Sequence, residues 1–133
     1  MTTPAPPAPD RVPLRFVARD RRASDAGLDG AWWPQSRDLQ VEVADLLDHF
    51  PAEVGHVRRL LYSRPDWELD PSGDWARKVR ARRGVVKVGS FPEDDTHLMV
   101  LLMATGARLR VLVVPSTADP ETAARAMALG DGQ

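Results

Sequence analysis

Apolar residues recur along this chain with two different periods, and the switches between them divide it into elements. Val12, Leu14 and Phe16 alternate with Pro13, Arg15 and Val17, the period of a half-buried strand. Pro13 cannot donate to a ladder, so this first strand is expected at a sheet edge. Leu39, Val43, Leu46, Leu47 and Phe50 then fall at helical spacing, with Glu42, Asp45 and His49 outside. They predict a helix over 37–50 with Ser36 as N-cap, Asp38 adding negative charge to the first turn, and Pro51 stopping its continuation. Residues 55–62 predict a strand that ends in the turn Arg64-Pro65-Asp66, after which Trp67 and Trp75 bracket a loop joining two neighbouring strands.

Residues 78–82 and 85–91 predict a hairpin about Arg83-Gly84, with Val79 and Ala81 sharing a face with Val86 and Val88. Two nearly continuous apolar runs, 97–103 and 109–114, are expected to be the central strands, because such runs imply burial on both faces. Asp119 as N-cap, Pro120 at the first helical position and Gly130 beyond the end frame a closing helix that carries Ala123, Ala124, Met127 and Leu129. The order β-α-β-β-β-β-β-α predicts an α+β fold with a mainly antiparallel sheet of about six strands and two helices packed on one face.

Composition narrows the class without naming a reaction. The chain has 133 residues, no cysteine and a formal net charge of −1, and no apolar run nears the length needed to span a bilayer. It is expected to form one domain over 12–130, between a disordered Pro/Ala-rich tail at 1–11 and a short tail at 131–133. With no basic leader followed by an apolar segment, a cytoplasmic location and no membrane contact are expected.

The least ordinary stretch is 27–36, Gly-Leu-Asp-Gly-Ala-Trp-Trp-Pro-Gln-Ser. It is expected as an irregular connection in which one tryptophan ring plugs the core and the other lies nearer the surface, since neighbouring side chains on an extended backbone point apart. Asp29, Gly30, Trp32, Trp33, Ser36 and Arg37 are the candidate contacts to a protein or small-molecule partner.

A second candidate lies in the middle of the chain. Over 58–87 the basic residues Arg58, Arg59, Arg64, Arg77, Lys78, Arg80, Arg82, Arg83 and Lys87 outnumber Asp66, Glu68, Asp70 and Asp74. Arg77, Lys78, Arg80, Arg82, Arg83 and Lys87 on the hairpin could track a phosphate backbone, with Tyr62, Trp67 and Trp75 near enough to stack bases. The same alternation is also what the solvated face of any antiparallel hairpin looks like, and that reading is preferred.

Catalytic signatures are missing. No serine sits in a Gly-x-Ser-x-Gly turn, and the three histidines, His49, His56 and His97, lack zinc-site spacing. Glu93-Asp94-Asp95-Thr96-His97 could hold a divalent cation but reads equally as an acidic turn. No catalytic residue, metal ligand or cofactor is assigned.

The run Gly27-Leu28-Asp29-Gly30-Ala31-Trp32-Trp33-Pro34, with Ser36-Arg37-Asp38-Leu39 behind it and Leu112-Val113-Val114-Pro115 leading to Asp119-Pro120, resembles the signature of a family of small actinobacterial proteins classed as a domain of unknown function. The resemblance covers most of the chain from Val12 to Leu129. It departs at Gln35, where a basic residue is expected, and in a longer loop between Trp67 and Trp75. It implies a fold and a segment of interest, and no reaction. The expectation is a binding module centred on Trp32-Trp33, with a nucleic-acid-associated protein as the alternative and an enzyme third.

Overall fold

The computed structural model describes residues 12–18, 29–90 and 97–130. Residues 1–11, 19–28, 91–96 and 131–133 lie outside the described residues, and with them the tails, the start of the tryptophan segment and the acidic turn expected there.

Among the described residues, seven strands and two α-helices follow one another as β1 (Phe16–Ala18), β2 (Gly30–Trp32), α1 (Leu39–Asp48), β3 (Val57–Tyr62), β4 (Lys78–Ala81), β5 (Gly84–Ser90), β6 (Leu98–Met103), β7 (Arg108–Val113) and α2 (Pro120–Gly130). The strands form one sheet in the order β1-β2-β7-β6-β3-β5-β4. It is mixed: β2 runs parallel to β7 and β3 parallel to β5, while the remaining neighbours are antiparallel. The fold is α+β as expected, with β1 at an edge and β6 and β7 well inside.

Three expectations about the topology are corrected. The seventh strand is β2, made by the tryptophan segment that was expected to be irregular; it zips between β1 and β7, pairing Ala31 with both Val17 and Leu112. Only glycine fits its first position, because a Cβ on Gly30 would lie 2.6 Å from the Val17 carbonyl oxygen. The loop after Trp67 does not join neighbours, since β5 inserts between β3 and β4.

The third correction concerns the helices. α1 packs Leu39, Val43, Leu46 and Leu47 into a core shared with Trp32, Leu60, Tyr62, Trp67, Val79, Met99, Leu101 and Val111. Each such large side chain withdrawn from water contributes about 1.5–3 kcal/mol. α2 packs instead against β2 and β1. Its Ala123 is buried but lies outside that core, as does Ala31, which points away from Trp32 and is also fully buried. α2 therefore covers the opposite face of the sheet at the β1-β2 end, and the two helices do not share a face.

Local signals hold with small shifts. The N-cap of α1 is Asp38, whose carboxylate accepts from the Val41 N–H at 3.2 Å, rather than Ser36. Ser36 is engaged one step earlier: its hydroxyl accepts from the Asp38 N–H and donates to the Glu42 carboxylate at 2.7 Å. Glu42, expected outside, is only 1% exposed, because 35–36 fold back over it and the Gln35 N–H adds a second bond at 2.9 Å. Asp119 caps α2 through the Thr122 N–H, and a bond from the Thr122 hydroxyl, together with that N–H, holds its carboxyl below the usual range. The hairpin pairs Val79 with Val86 on the core side, as its pattern predicts.

Candidate functional site

The tryptophan segment is held from several directions. Trp32 is buried and its ring lies 5.6 Å from that of Trp67, tilted by 31°. Trp33, half-buried, points the other way and carries the Arg15 guanidinium 3.7 Å above its ring; the same guanidinium donates to the carbonyls of Trp33 and Pro34. Asp29 exchanges bonds with Arg110, donating its N–H to the carbonyl at 2.7 Å and accepting the Arg110 N–H on its carboxylate at 2.9 Å. It continues the β2-β7 pairing by one step. Arg37 donates to the carbonyls of Pro65 and Trp67, latching the 3-10 turn after β3. Gln35, standing where a basic residue was expected, accepts from the Val12 N–H at 2.9 Å and donates to the Val12 carbonyl at 2.7 Å. Of the six candidates here, Asp29, Gly30 and Trp32 are enclosed, and Trp33, Ser36 and Arg37 reach the surface.

Ser36 and Arg37 line a cavity of about 200 Å3 together with Asp66, His97 and Ser116 among others. Asp66 is clamped to His97 twice: its carboxylate accepts the His97 N–H at 2.6 Å and faces the ring Nδ1 at 3.0 Å. The backbone of His97 turns through a left-handed conformation, φ 64°, to permit this. Burial raises the Asp66 carboxyl above its ordinary range, opposed by the bond from the His97 N–H and by the neighbouring imidazole and Arg37 charges. Among the described residues no cluster of side chains could hold a metal ion.

The hairpin candidates separate by face. Lys78 lies directly opposite Lys87, and Lys87 lies directly beside Arg59 across the parallel β3-β5 pair. Facing residues on adjacent strands share a side of the sheet about 4.8 Å apart. A row of three cations, Arg59–Lys87–Lys78, therefore crosses the face away from α1, with Arg80 two residues along β4 on the same side and all four side chains exposed. Among the described residues no strand carries an acidic residue. Among the described residues none of these four side chains has an ion-pair partner.

Arg82 and Arg83 leave this group. Arg82 turns toward α1, its N–H bonded to Asp48 at 2.8 Å and its guanidinium 3.8 Å from the same carboxylate. Arg83 reaches the His56 ring and the Val57 carbonyl, filling the irregularity in β3. Arg59, absent from the hairpin set, joins it because β3 and β5 are parallel neighbours. No periodicity in the sequence reports that pairing.

At the β4 edge the basic face meets a cleft of about 1330 Å3 between the start of α1 and the loop 68–77. Tyr62 and Trp75 line it; the Tyr62 hydroxyl donates to the Ala76 carbonyl at 2.8 Å, and burial pushes its ionisation up. The Arg64 guanidinium stands 5.5 Å from the centre of the Trp75 ring, with its Nε bonded to the Ser90 hydroxyl at 2.9 Å. The far lip is acidic. Asp70 accepts from the Ser72 N–H and hydroxyl and from the Asp74 N–H, which hold its carboxyl below the usual range.

These features define a small α+β protein built on a mixed sheet, one face packed under α1 and the other covered by α2 at its β1-β2 end and bearing, at its β3-β5-β4 end, a row of cations without ion-pair partners among the described residues. The chain belongs to the family of unknown function DUF5994, whose model matches residues 14–130. No curated protein and no solved structure matches it. No helix among the described residues is long and apolar enough to cross a membrane.

Proposed function

We propose that this protein is a nucleic-acid-associated binding module that engages the phosphate backbone on its open sheet face. The row Arg59–Lys87–Lys78 carries the reading. Like charges directly opposite one another across strands destabilise a sheet, and no carboxylate on the strands offsets them. A phosphate chain laid across the row relieves that repulsion and gains counterion release. This favours the face over the tryptophan segment, where Trp32 serves the core and the polar groups mostly hold backbone. The test is fluorescence anisotropy of a labelled single-stranded oligonucleotide over a salt series. Binding should weaken steeply as salt rises, and Lys78→Glu with Lys87→Glu should flatten the slope; no binding even at low salt would sink the reading.

A second reading keeps a ligand or protein contact around Trp33, Ser36 and Arg37. It is favoured by the small cavity beside Ser36 and Arg37, and by the Trp33 indole N–H, which is buried with no acceptor among the described residues. Trp33→Ala would then abolish a captured partner with little change in melting temperature.

A further inference from the structure

Resting on the phosphate-backbone reading, we infer that the cleft beside β4 receives unpaired bases, so that the ligand is a single-stranded nucleic acid whose phosphates lie on Lys78 and Arg80. Both residues belong to the exposed cationic side of β4 and also line the cleft, so a strand crossing the face reaches the cleft without a gap. A polymer of phosphate alone has no use for what lies beyond. The cleft offers the exposed Arg64 guanidinium, which lies 5.5 Å over the core-packed Trp75 ring, as a flat cationic and aromatic stack that a base can extend, and the Arg64 plane is already steadied by Ser90. Its opposite lip bears the carboxylates of Glu68 and Asp74.

That lip repels a second phosphate chain and so sets the polarity of the bound strand: backbone on the β4 side, bases inward. Carboxylates accept hydrogen bonds only, and an exocyclic amino group gives a base two protons to donate to them, in addition to any ring N–H. Cytosine, adenine and guanine have such a group; uracil and thymine offer a single ring N–H and so satisfy the pair of carboxylates less fully. Duplex nucleic acid buries its stacking faces and cannot use the aromatic surface.

The experiment measures anisotropy of equal-length labelled oligo(C), oligo(A) and oligo(U) with the full chain, using inorganic polyphosphate and a duplex of matched charge as competitors. Oligo(C) and oligo(A) should bind roughly tenfold more tightly than oligo(U), and polyphosphate and duplex should compete weakly. Trp75→Leu should lower oligo(C) affinity roughly tenfold while polyphosphate binding holds, which also shows that the variant is folded. Glu68→Gln, a change at an exposed position, should narrow the preference over oligo(U). If all three oligonucleotides, polyphosphate and duplex bind alike and Trp75→Leu changes nothing, the cleft takes no base, while the backbone reading stands. If no polyanion binds at low salt, both fall.

Discussion

The side-chain amide of Gln40 makes both hydrogen bonds that a neighbouring strand would offer to Arg80: its Nε2 donates to the Arg80 carbonyl at 2.9 Å, and its Oε1 accepts the Arg80 N–H at 3.0 Å. Arg80 lies on β4, the last strand of the sheet. One step on, Asp48 accepts the Arg82 N–H. Helix α1 thus satisfies the outer edge of β4 with two of its own side chains, and an edge closed this way is a poor template for pairing with another chain. At the opposite edge Gln35 treats Val12 in the same fashion.

Gln40→Ala removes both bonds and reopens the edge. Each ordinary hydrogen bond contributes about 0.5–1.5 kcal/mol net, so the expected loss is roughly 1–2 kcal/mol in urea unfolding. Gln40→Glu should recover only part, since a carboxylate cannot donate to the Arg80 carbonyl. A variant that self-associates more at high concentration, seen by light scattering, would mark the edge as the cause.

The cationic row makes a prediction of opposite sign. Lys87 stands between Arg59 and Lys78, and replacing it with glutamate converts two repulsive neighbours into attractive ones. Cross-strand charge pairs are worth about 0.2–1 kcal/mol, so Lys87→Glu should raise stability by about that much at low ionic strength while weakening polyanion binding. Added salt screens the wild-type repulsion and should narrow the difference between the two proteins. Stability lost on Lys87→Glu would show that the row is not repulsive in the folded protein.

What the sequence discloses here and what it conceals follow from the range of the interactions. The helix of Leu39, Val43 and Leu46, the Val79–Val86 hairpin and the Asp119 cap depend on residues a few positions apart, and their patterns are plain. β2 is only three residues long and exists because β1 and β7 pair with it on both sides, and the β7 partner of Gly30, Val111, is remote in the sequence. Glu42 reads as solvent-facing by periodicity, yet residues 35–36 bring two donors to it. The basic window is visible as composition, but its division into an open row with Arg59 and a structural pair at Arg82 and Arg83 depends on the parallel β3-β5 neighbours, and Asp66 meets His97 only through the tertiary fold.

Glu42 gives a direct check of that concealed environment. Its carboxylate takes the Gln35 N–H and the Ser36 hydroxyl inside the protein. Glu42→Ala removes the acceptor that both part-buried donors share and empties a buried position, at an expected cost of about 1–3 kcal/mol. An ordinary solvent-facing helix position would lose no more than about 0.5 kcal/mol. Chemical denaturation separates the two outcomes.

Asp66 links stability to pH. Its carboxyl is raised above the ordinary range by burial, so between the unfolded and folded values the native state binds more protons than the unfolded state. Stability from this group is fully present below the unfolded value and is lost as pH rises through the folded one. Asp66→Asn removes the titration, and its urea midpoint should vary less with pH in the mildly acidic range than that of the wild type. A wild-type contribution that instead grows with rising pH there would mean that the His97 contacts outweigh burial.

The two adjacent tryptophans provide the sharpest contrast, because one position along the backbone moves a ring from the core to a place beneath Arg15. Trp32 is 1% exposed and packs on Trp67, so Trp32→Ala empties a site that the core cannot refill and should cost about 3–5 kcal/mol. Trp33 is half-buried and loses its stacked guanidinium and some apolar contact; a cation–π pair is worth about 0.5–2 kcal/mol, and Trp33→Ala should cost clearly less than Trp32→Ala. Thermal unfolding of the two variants side by side decides the point. Equal losses would mean that Trp33 is as structural as its neighbour and would remove the basis for a ligand or partner site around it; a small loss at Trp33 leaves that surface open to the capture experiment.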